Sequence, residues 1–420
     1  MQLISHTRSI CPVCGCQLPA RRLLEKGNVY LQKSCPQHGE FTTLLWRGPV
    51  DYVAWQGGSL DYTEKTPCPE ACGICSAHQQ GSCCVLYEVT SRCDLRCRFC
   101  FADGGNGKDI PLEQAKADIS KIAGLGNPLL QLSGGEPSLR DDLPELIAHA
   151  RKAGCTYVQL NTNGLRLARD EAFLAACVKA GLSFVFLQFD GTREEIYQDL
   201  RGRGLLEEKK QAIAACAKYR LGVTLVPTLV PGVNTDNIGE MLRFAISQAP
   251  GVRGIHFQPV SYFGRYPQPP AEEDRYTLGD LLRDLEIQSR GLLSLKNIAP
   301  SHCDHPLCGF HGSFIAEEDG NLLPLTQPSS CSCRSSAEQN RSYIGTRWYR
   351  GPEPGPEAAE DELEAFLRKA KERAFTVTAM AFQDAWNLDL ARLRRCSLHV
   401  YKGGRLRPFC ANYLSLMEEA

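Results

Sequence analysis

The sequence predicts an α/β protein: an open or partial barrel of six parallel strands, set between a cysteine-rich head and a third region that also carries cysteines. Three observations lead there. From Val85 onward, apolar runs of strand length alternate with longer helical stretches, the pattern of parallel strands joined by helical crossovers. Before Val85 the chain is turn-rich and thick with Cys, Pro and Gly, which suits a small metal-stapled unit more than a layered core. Finally, 21 of the 420 residues are cysteine, clustered at two- and three-residue spacings that fit metal ligands better than disulfides.

The head spans residues 1–84. CPVC offers Cys11 and Cys14, and CPQHG offers Cys35 and His38. Two such pairs complete a tetrahedral site of three sulfurs and one nitrogen, for zinc or for a single iron. Structural zinc is the preferred reading. CPEACGICSAHQQGSCC then supplies Cys68, Cys72, Cys75 and Cys83, followed by Cys84. Four thiols suit an auxiliary 4Fe-4S cluster, with a second zinc as the alternative. Cys83 is favoured over Cys84 as the fourth, because adjacent side chains in extended chain point oppositely.

Residues 85–275 hold the barrel. Its strands are read in VLYEVT, PLLQLSGG, TYVQLNTNG, SFVFLQFDG, GVTLVPTLV and VRGIHFQPVS, separated by helices such as PLEQAKADISKIAGL and DEAFLAACVKAG. Cys155, Cys177 and Cys216 lie in apolar segments of this part and read as small buried hydrophobes. Sites in such folds lie at the carboxyl ends of the strands. The Pro-rich FGRYPQPPAEEDRYT is a connector to the third region, 276–420, which opens with a helix from Leu278 to about Ser289. There Cys303 and Cys308 form one pair, Cys396 and Cys410 another, and the two can converge on a second auxiliary cluster. Cys331 and Cys333, in TQPSSCSC, have a one-residue gap that suits no cluster, and WYRGPEPGPEAAEDE reads as a solvated excursion.

Composition narrows the classes. A net charge of −1 leaves no basic excess to neutralise a phosphate backbone, so nucleic acid is not an expected partner. With no run of about 18 apolar residues and no signal-like start, the chain is expected in the cytoplasm, loose attachment to a membrane surface being left open.

The densest chemistry is CDLRCRFC, directly after the first barrel strand. Cys93, Cys97 and Cys100 are three thiols where zinc or an electron-transfer cluster would use four, so one iron of a cubane is left without a protein ligand. LSGGEPSL follows the second strand: Gly134 and Gly135 let backbone approach a ligand closely, and Glu136 can pair with an ammonium group. Asn161 and Asn163 end the third strand. Gln188 and Asp190 end the fourth and offer polar groups suited to ribose and carboxylate.

Together these elements resemble the radical S-adenosylmethionine (SAM) superfamily. The resemblance implies that the open iron is chelated by the amino and carboxylate groups of SAM. An electron from the cluster then cleaves SAM into methionine and a 5′-deoxyadenosyl radical. It implies Phe99 near the adenine, GGEP at the methionine amine, and Gly254 and Ile255 on the sixth strand around the adenine. CPxxCGxC before EVTSRCDLRCRFCFA, with HPLCGF and the DAWNLDL…RRC…RPFC tail, is similar to the branch containing tetraether lipid synthase and the methyltransferases of methanopterin biosynthesis. That branch implies one or two auxiliary clusters, among them Cys303, Cys308, Cys396 and Cys410, a mononuclear zinc or iron in the head, and a reductant such as ferredoxin or flavodoxin. The leading expectation is hydrogen abstraction from an unactivated carbon and carbon-carbon bond formation on a lipid or other apolar substrate, with FVFLQF and LLQL lining a tunnel. The alternatives are radical C-methylation of a pterin or other small molecule, and modification of a peptide. A non-catalytic electron carrier would need no SAM cradle.

Overall fold

In the computed structural model, residues 1–57, 61–66, 68–69, 74–325, 335–351 and 361–417 are described. The head is a four-stranded antiparallel sheet: β1 (Gln2–Ile10), β2 (Gln17–Glu25), β3 (Asn28–Cys35) and β4 (Gly39–Trp46), paired in sequence order. Its turns bring the predicted ligands together. Cys11 and Cys14 lie in the β1–β2 turn, Cys35 closes β3, and His38 lies in the turn into β4.

The barrel strands are β5 (Cys84–Arg92), β7 (Leu129–Gly134), β8 (Val158–Thr162), β9 (Phe184–Gln188), β10 (Gly222–Val226) and β12 (Val252–Pro259). The short β6 (Asn106–Asp109) and β11 (Thr228–Leu229) lie beside β5 and β12. The six pair in parallel and in chain order. The third region shares this sheet. It adds β13 (Ala299–Pro300), β14 (Gly309–Ala316), β15 (Leu322–Pro324) and β16 (Ala374–Met380) beyond β12, and β17 (Leu398–Lys402) and β18 (Arg405–Pro408) beyond β5. Thus β16 of the third region lies against β12 at one side of the barrel sheet and β17 against the start of β5 at the other.

Alternation along each strand divides the side chains. Tyr87, Leu130, Leu132, Leu160, Val185, Leu187, Leu225, Ile255 and Phe257 all enter the main core with the helix residues Ile119, Leu146, Ile213 and Leu242. The residues between them face the other way, and there the sequence is different: Gln131, Asn161, Phe186, His256 and Gln258. Cys155, Cys177 and Cys216 are buried in the helix-side core, as expected.

DAWNLDL proves to be the dock for the head. Arg22 on β2 donates to Asp389 at 2.6 and 2.9 Å, with both side chains essentially inaccessible to solvent. Thr7 donates to the other Asp389 oxygen at 2.8 Å, and Ser9 to the Leu388 carbonyl at 2.6 Å. Lys33 Nζ donates to the carbonyls of Ala385 and Trp386 at 3.0 and 2.8 Å. Breaking a buried pair strands a charge away from water, so Asp389→Asn is expected to cost about 3–5 kcal/mol by denaturant unfolding. Lys218→Ala, which removes an exposed pair with Glu171, is expected to leave the midpoint unchanged.

Candidate metal and cofactor sites

In the head, one donor atom from each of Cys11, Cys14, Cys35 and His38 lies within 4.8 Å of all the others. His38 Nδ1 is 3.4 Å from Cys35 Sγ and 3.6 Å from Cys11 Sγ. The spacing and the donor types fit one tetrahedral ion. A fifth sulfur that the pairwise reading missed, Cys16, stands 3.2 Å from Cys14 Sγ and 3.9 Å from Cys35 Sγ.

The three-thiol loop leaves the carboxyl end of β5, and Cys93, Cys97 and Cys100 are all half-buried and unpaired. Several contacts hold it. Arg265, from the Pro-rich connector, exchanges two backbone hydrogen bonds with Cys100 at 2.9 and 3.0 Å. Its guanidinium donates to the Cys97 carbonyl at 3.2 Å and the Gly104 carbonyl at 2.6 Å. Asn163 Nδ2 donates to Asp94 inside the loop at 2.7 Å. The GG pair is in close contact with the first strand's backbone: Gly135 N–H donates to Thr90 at 2.8 Å, and a Cβ on Gly134 or Gly135 would run into the carbonyls of Thr90 and Arg92.

The predicted cradle residues are brought to this end of the barrel, but most are engaged with one another. Glu136 is buried and accepts from Ser138 N–H, the Thr162 hydroxyl and Asn163 N–H at 2.9, 2.7 and 2.6 Å. Burial raises its pKa in spite of these bonds. Asp190 is paired with Arg201 through two bonds of 2.6 and 2.7 Å. Burial works against the charge of Arg201, but Asp190 and the nearby Cys97 sulfur outweigh it and raise its pKa. Arg201, while paired with Asp190, thus also reaches the Cys97 sulfur. Gln188 accepts from Lys209 Nζ at 3.1 Å, and the same ammonium donates to the Asn163 carbonyl at 2.5 Å; burial lowers Lys209 to about 8. Phe99 meets Tyr262 edge-on at 5.9 Å. Ile255 points into the sheet–helix core, so a ligand inside the barrel meets its backbone and not its side chain. Asn161 and Phe99 line a cavity of about 170 Å³ that runs from Cys100 past Gln131, Phe186 and His256 to Cys83 and Cys84.

Arg201, Lys209, Arg265 and His256 were missed in the sequence. Lys209 carried a signal: it falls on the apolar stripe Leu205, Ala212, Ile213, Cys216 of its helix.

Among the remaining cysteines, Cys308, Cys396 and Cys410 lie near enough to perturb one another's ionisation, and the Arg392 guanidinium reaches Cys308. Cys68 and Cys75 pack in the apolar cluster that contains Cys410. Cys303 lies instead with Cys83 and Cys84. The adjacent thiols of Cys83 and Cys84, expected to diverge, are 3.7 Å apart, and both are buried. Cys72, Cys331 and Cys333 lie outside the described residues.

A parallel α/β barrel with an open three-thiol loop at the end of its first strand defines a radical SAM enzyme. Residues 87–245 match the family described as the Radical SAM superfamily, and residues 3–47 match the HMPTM N-terminal zinc ribbon domain. The chain is 31% identical to the 7,8-dihydro-6-hydroxymethylpterin dimethyltransferase of Methanocaldococcus jannaschii, over 96% of this chain and 92% of the relative. It is 29% identical to the Fe-coproporphyrin III synthase of Methanosarcina barkeri over 53% of this chain and 56% of that one. SuiB of Streptococcus suis resembles it at 17% identity with a TM-score of 0.41, over 50% of this chain and 46% of that chain. The chain belongs to the radical SAM superfamily, whose members use 4Fe-4S clusters and SAM, and its head is a zinc ribbon. Among the described residues no helix is long and apolar enough to cross a membrane.

Two measurements follow. Gly135→Ala pushes the loop off β5, and metal analysis after anaerobic reconstitution is expected to show roughly four irons per chain lost with zinc retained. Cys35→Ser is expected to do the reverse, losing about one zinc per chain.

Proposed function

We propose that this protein is a radical C-methyltransferase acting on a pterin, or on a heteroaromatic compound of similar size and polarity. The observation that carries this reading is the lining of the barrel. Inward strand positions hold the amides Gln131, Asn161 and Gln258 with the rings of Phe186 and His256; Trp348, from the helix Ala337–Trp348, and the aliphatic Leu86, Val260 and Ile344 complete the lining. Amides read the hydrogen-bonding edge of a heterocycle, and aromatic rings cover its faces. The cavity is about 170 Å³ and adjoins a second of about 190 Å³ on the β14 side. The likeness to a pterin dimethyltransferase over nearly the full length of both chains supports the same reading.

Only alternate residues of the two runs read as a lipid tunnel face the barrel interior, Phe186 among them. In LLQL, Leu130 and Leu132 turn outward into the core and Gln131 turns in; in FVFLQF, Val185, Leu187 and Phe189 turn outward. A period of two cannot set every residue of an apolar run on one face.

When bound, the three-thiol cluster supplies the electron that cleaves SAM. The chain's own residues position it: Arg265 and Asn163 hold the loop, Arg201 reaches the Cys97 sulfur, and the cavity beginning at Cys100 takes the substrate. A ferredoxin or flavodoxin would deliver the electron. Cys308, Cys396 and Cys410 would hold one auxiliary cluster, with a fourth ligand from the Cys68–Cys75 segment. Cys303 would join Cys83 at another.

The test is an anaerobic reaction of reconstituted protein with dithionite, methyl-labelled SAM and 6-hydroxymethyl-7,8-dihydropterin, with a parallel reaction that also contains a one-carbon-loaded reduced pterin. Mass spectrometry is expected to show the pterin heavier by one or two methyl groups, with formation of 5′-deoxyadenosine. The label identifies the methyl source. A pterin of unchanged mass in both reactions, while 5′-deoxyadenosine accumulates, would remove this reading.

A further inference from the structure

One cavity residue, His256, has a ring nitrogen engaged by a neighbouring strand. His256 lies on β12 between Ile255 and Phe257. Because those two enter the helix-side core, the imidazole faces the barrel interior, where it lines the cavity beginning at Cys100. It also borders a neighbouring cavity of about 190 Å³ on the β14 side. Phe186 fixes its plane, with ring centroids 5.4 Å apart.

Thr378 stands opposite His256 in the parallel β12–β16 register. Its hydroxyl lies 3.4 Å from the Ile255 carbonyl and 2.8 Å from His256 Nδ1. When the hydroxyl proton goes to the carbonyl, Nδ1 donates to the hydroxyl oxygen and Nε2 carries the lone pair; when it goes to Nδ1, Nε2 carries the proton. Burial lowers the pKa of His256 to about 4, so the ring stays neutral across the physiological range. Across the cavity, Asn161 Oδ1 is occupied by the Gln159 amide at 2.5 Å, which leaves the Asn161 amide protons for a ligand. The first of the two Thr378 arrangements puts an acceptor on His256 and a donor on Asn161 in the lining of one cavity.

We propose that His256 is the specificity-determining acceptor of the substrate site: Nε2 takes an N–H of the substrate heterocycle while the Asn161 amide donates to its ring oxygen or nitrogen. The ligand class is a lactam- or amidine-bearing aromatic ring, in which a donor and an acceptor share one edge. This inference rests on the pterin reading above, and its test separates the two.

The test titrates anaerobically reconstituted protein with 6-hydroxymethylpterin and follows the quenching of the pterin's own fluorescence. His256→Leu is expected to weaken binding about tenfold or more, since it leaves a ligand N–H buried without a partner. His256→Gln, whose side-chain carbonyl can accept the same N–H, is expected to stay within about threefold of wild type. Thr378→Val keeps the ring but removes the hydroxyl beside Nδ1, and is expected to fall between them; it also serves as the test if the leucine variant does not fold. If wild type binds and His256→Leu binds equally well, or His256→Gln is as weak as His256→Leu, this assignment is overturned while the pterin reading stands. If wild type does not bind the pterin at all, both are overturned.

Discussion

Everything in this protein depends on the two-residue period of six parallel strands. Each strand sends one set of side chains to the helices and the other to the barrel interior, and the two sets obey different chemistry. The outer set is uniformly apolar and builds the core around Leu132, Leu160, Leu187, Leu225 and Phe257. The inner set is free of that duty and carries amides, aromatic rings and one imidazole. A strand that looks continuously hydrophobic in sequence is thus two interleaved messages, and the function is written in the sparser one.

The loop that carries Cys93, Cys97 and Cys100 shows how a cofactor site is prepared by backbone. The close approach of Gly134 and Gly135 to Thr90 and Arg92 locks the second strand's end to the first. Glu136 ties that junction to the third strand end through Thr162 and Asn163. Asn163 then reaches back to Asp94 in the loop. Residues that look separate in the sequence are linked to one another here. The tail acts similarly at longer range, since Asp389 holds Arg22 of the head and Arg392 lies against Cys308.

Much of this was legible in the sequence. Cysteine spacing located the zinc ribbon and the open three-thiol loop, because metal ligands on a short loop must be close in sequence. Strand and helix alternation located the six strands and the helix Leu278–Ser289. The rest depended on contacts between distant residues. No local pattern marks Arg265, in a Pro-rich connector, as the partner of Cys100, or places Cys303 in the apolar cluster of Cys83 and Cys84. Alternation lets only every second residue of LLQL and FVFLQF face the interior, Gln131 and Phe186 among them. Gln131 was the visible clue: one polar residue inside an apolar strand marks the face that is not core.

The central claim is that the cluster on Cys93, Cys97 and Cys100 leaves one iron open, and that SAM occupies it. Electron-nuclear double resonance on the reduced, reconstituted protein, with SAM labelled with ¹⁵N at the amino group and ¹⁷O at the carboxylate, tests this directly. The account predicts hyperfine coupling of both labels to the cluster, lost in Cys97→Ala. A cluster signal without coupling to either label, and unaltered by added SAM, would contradict it.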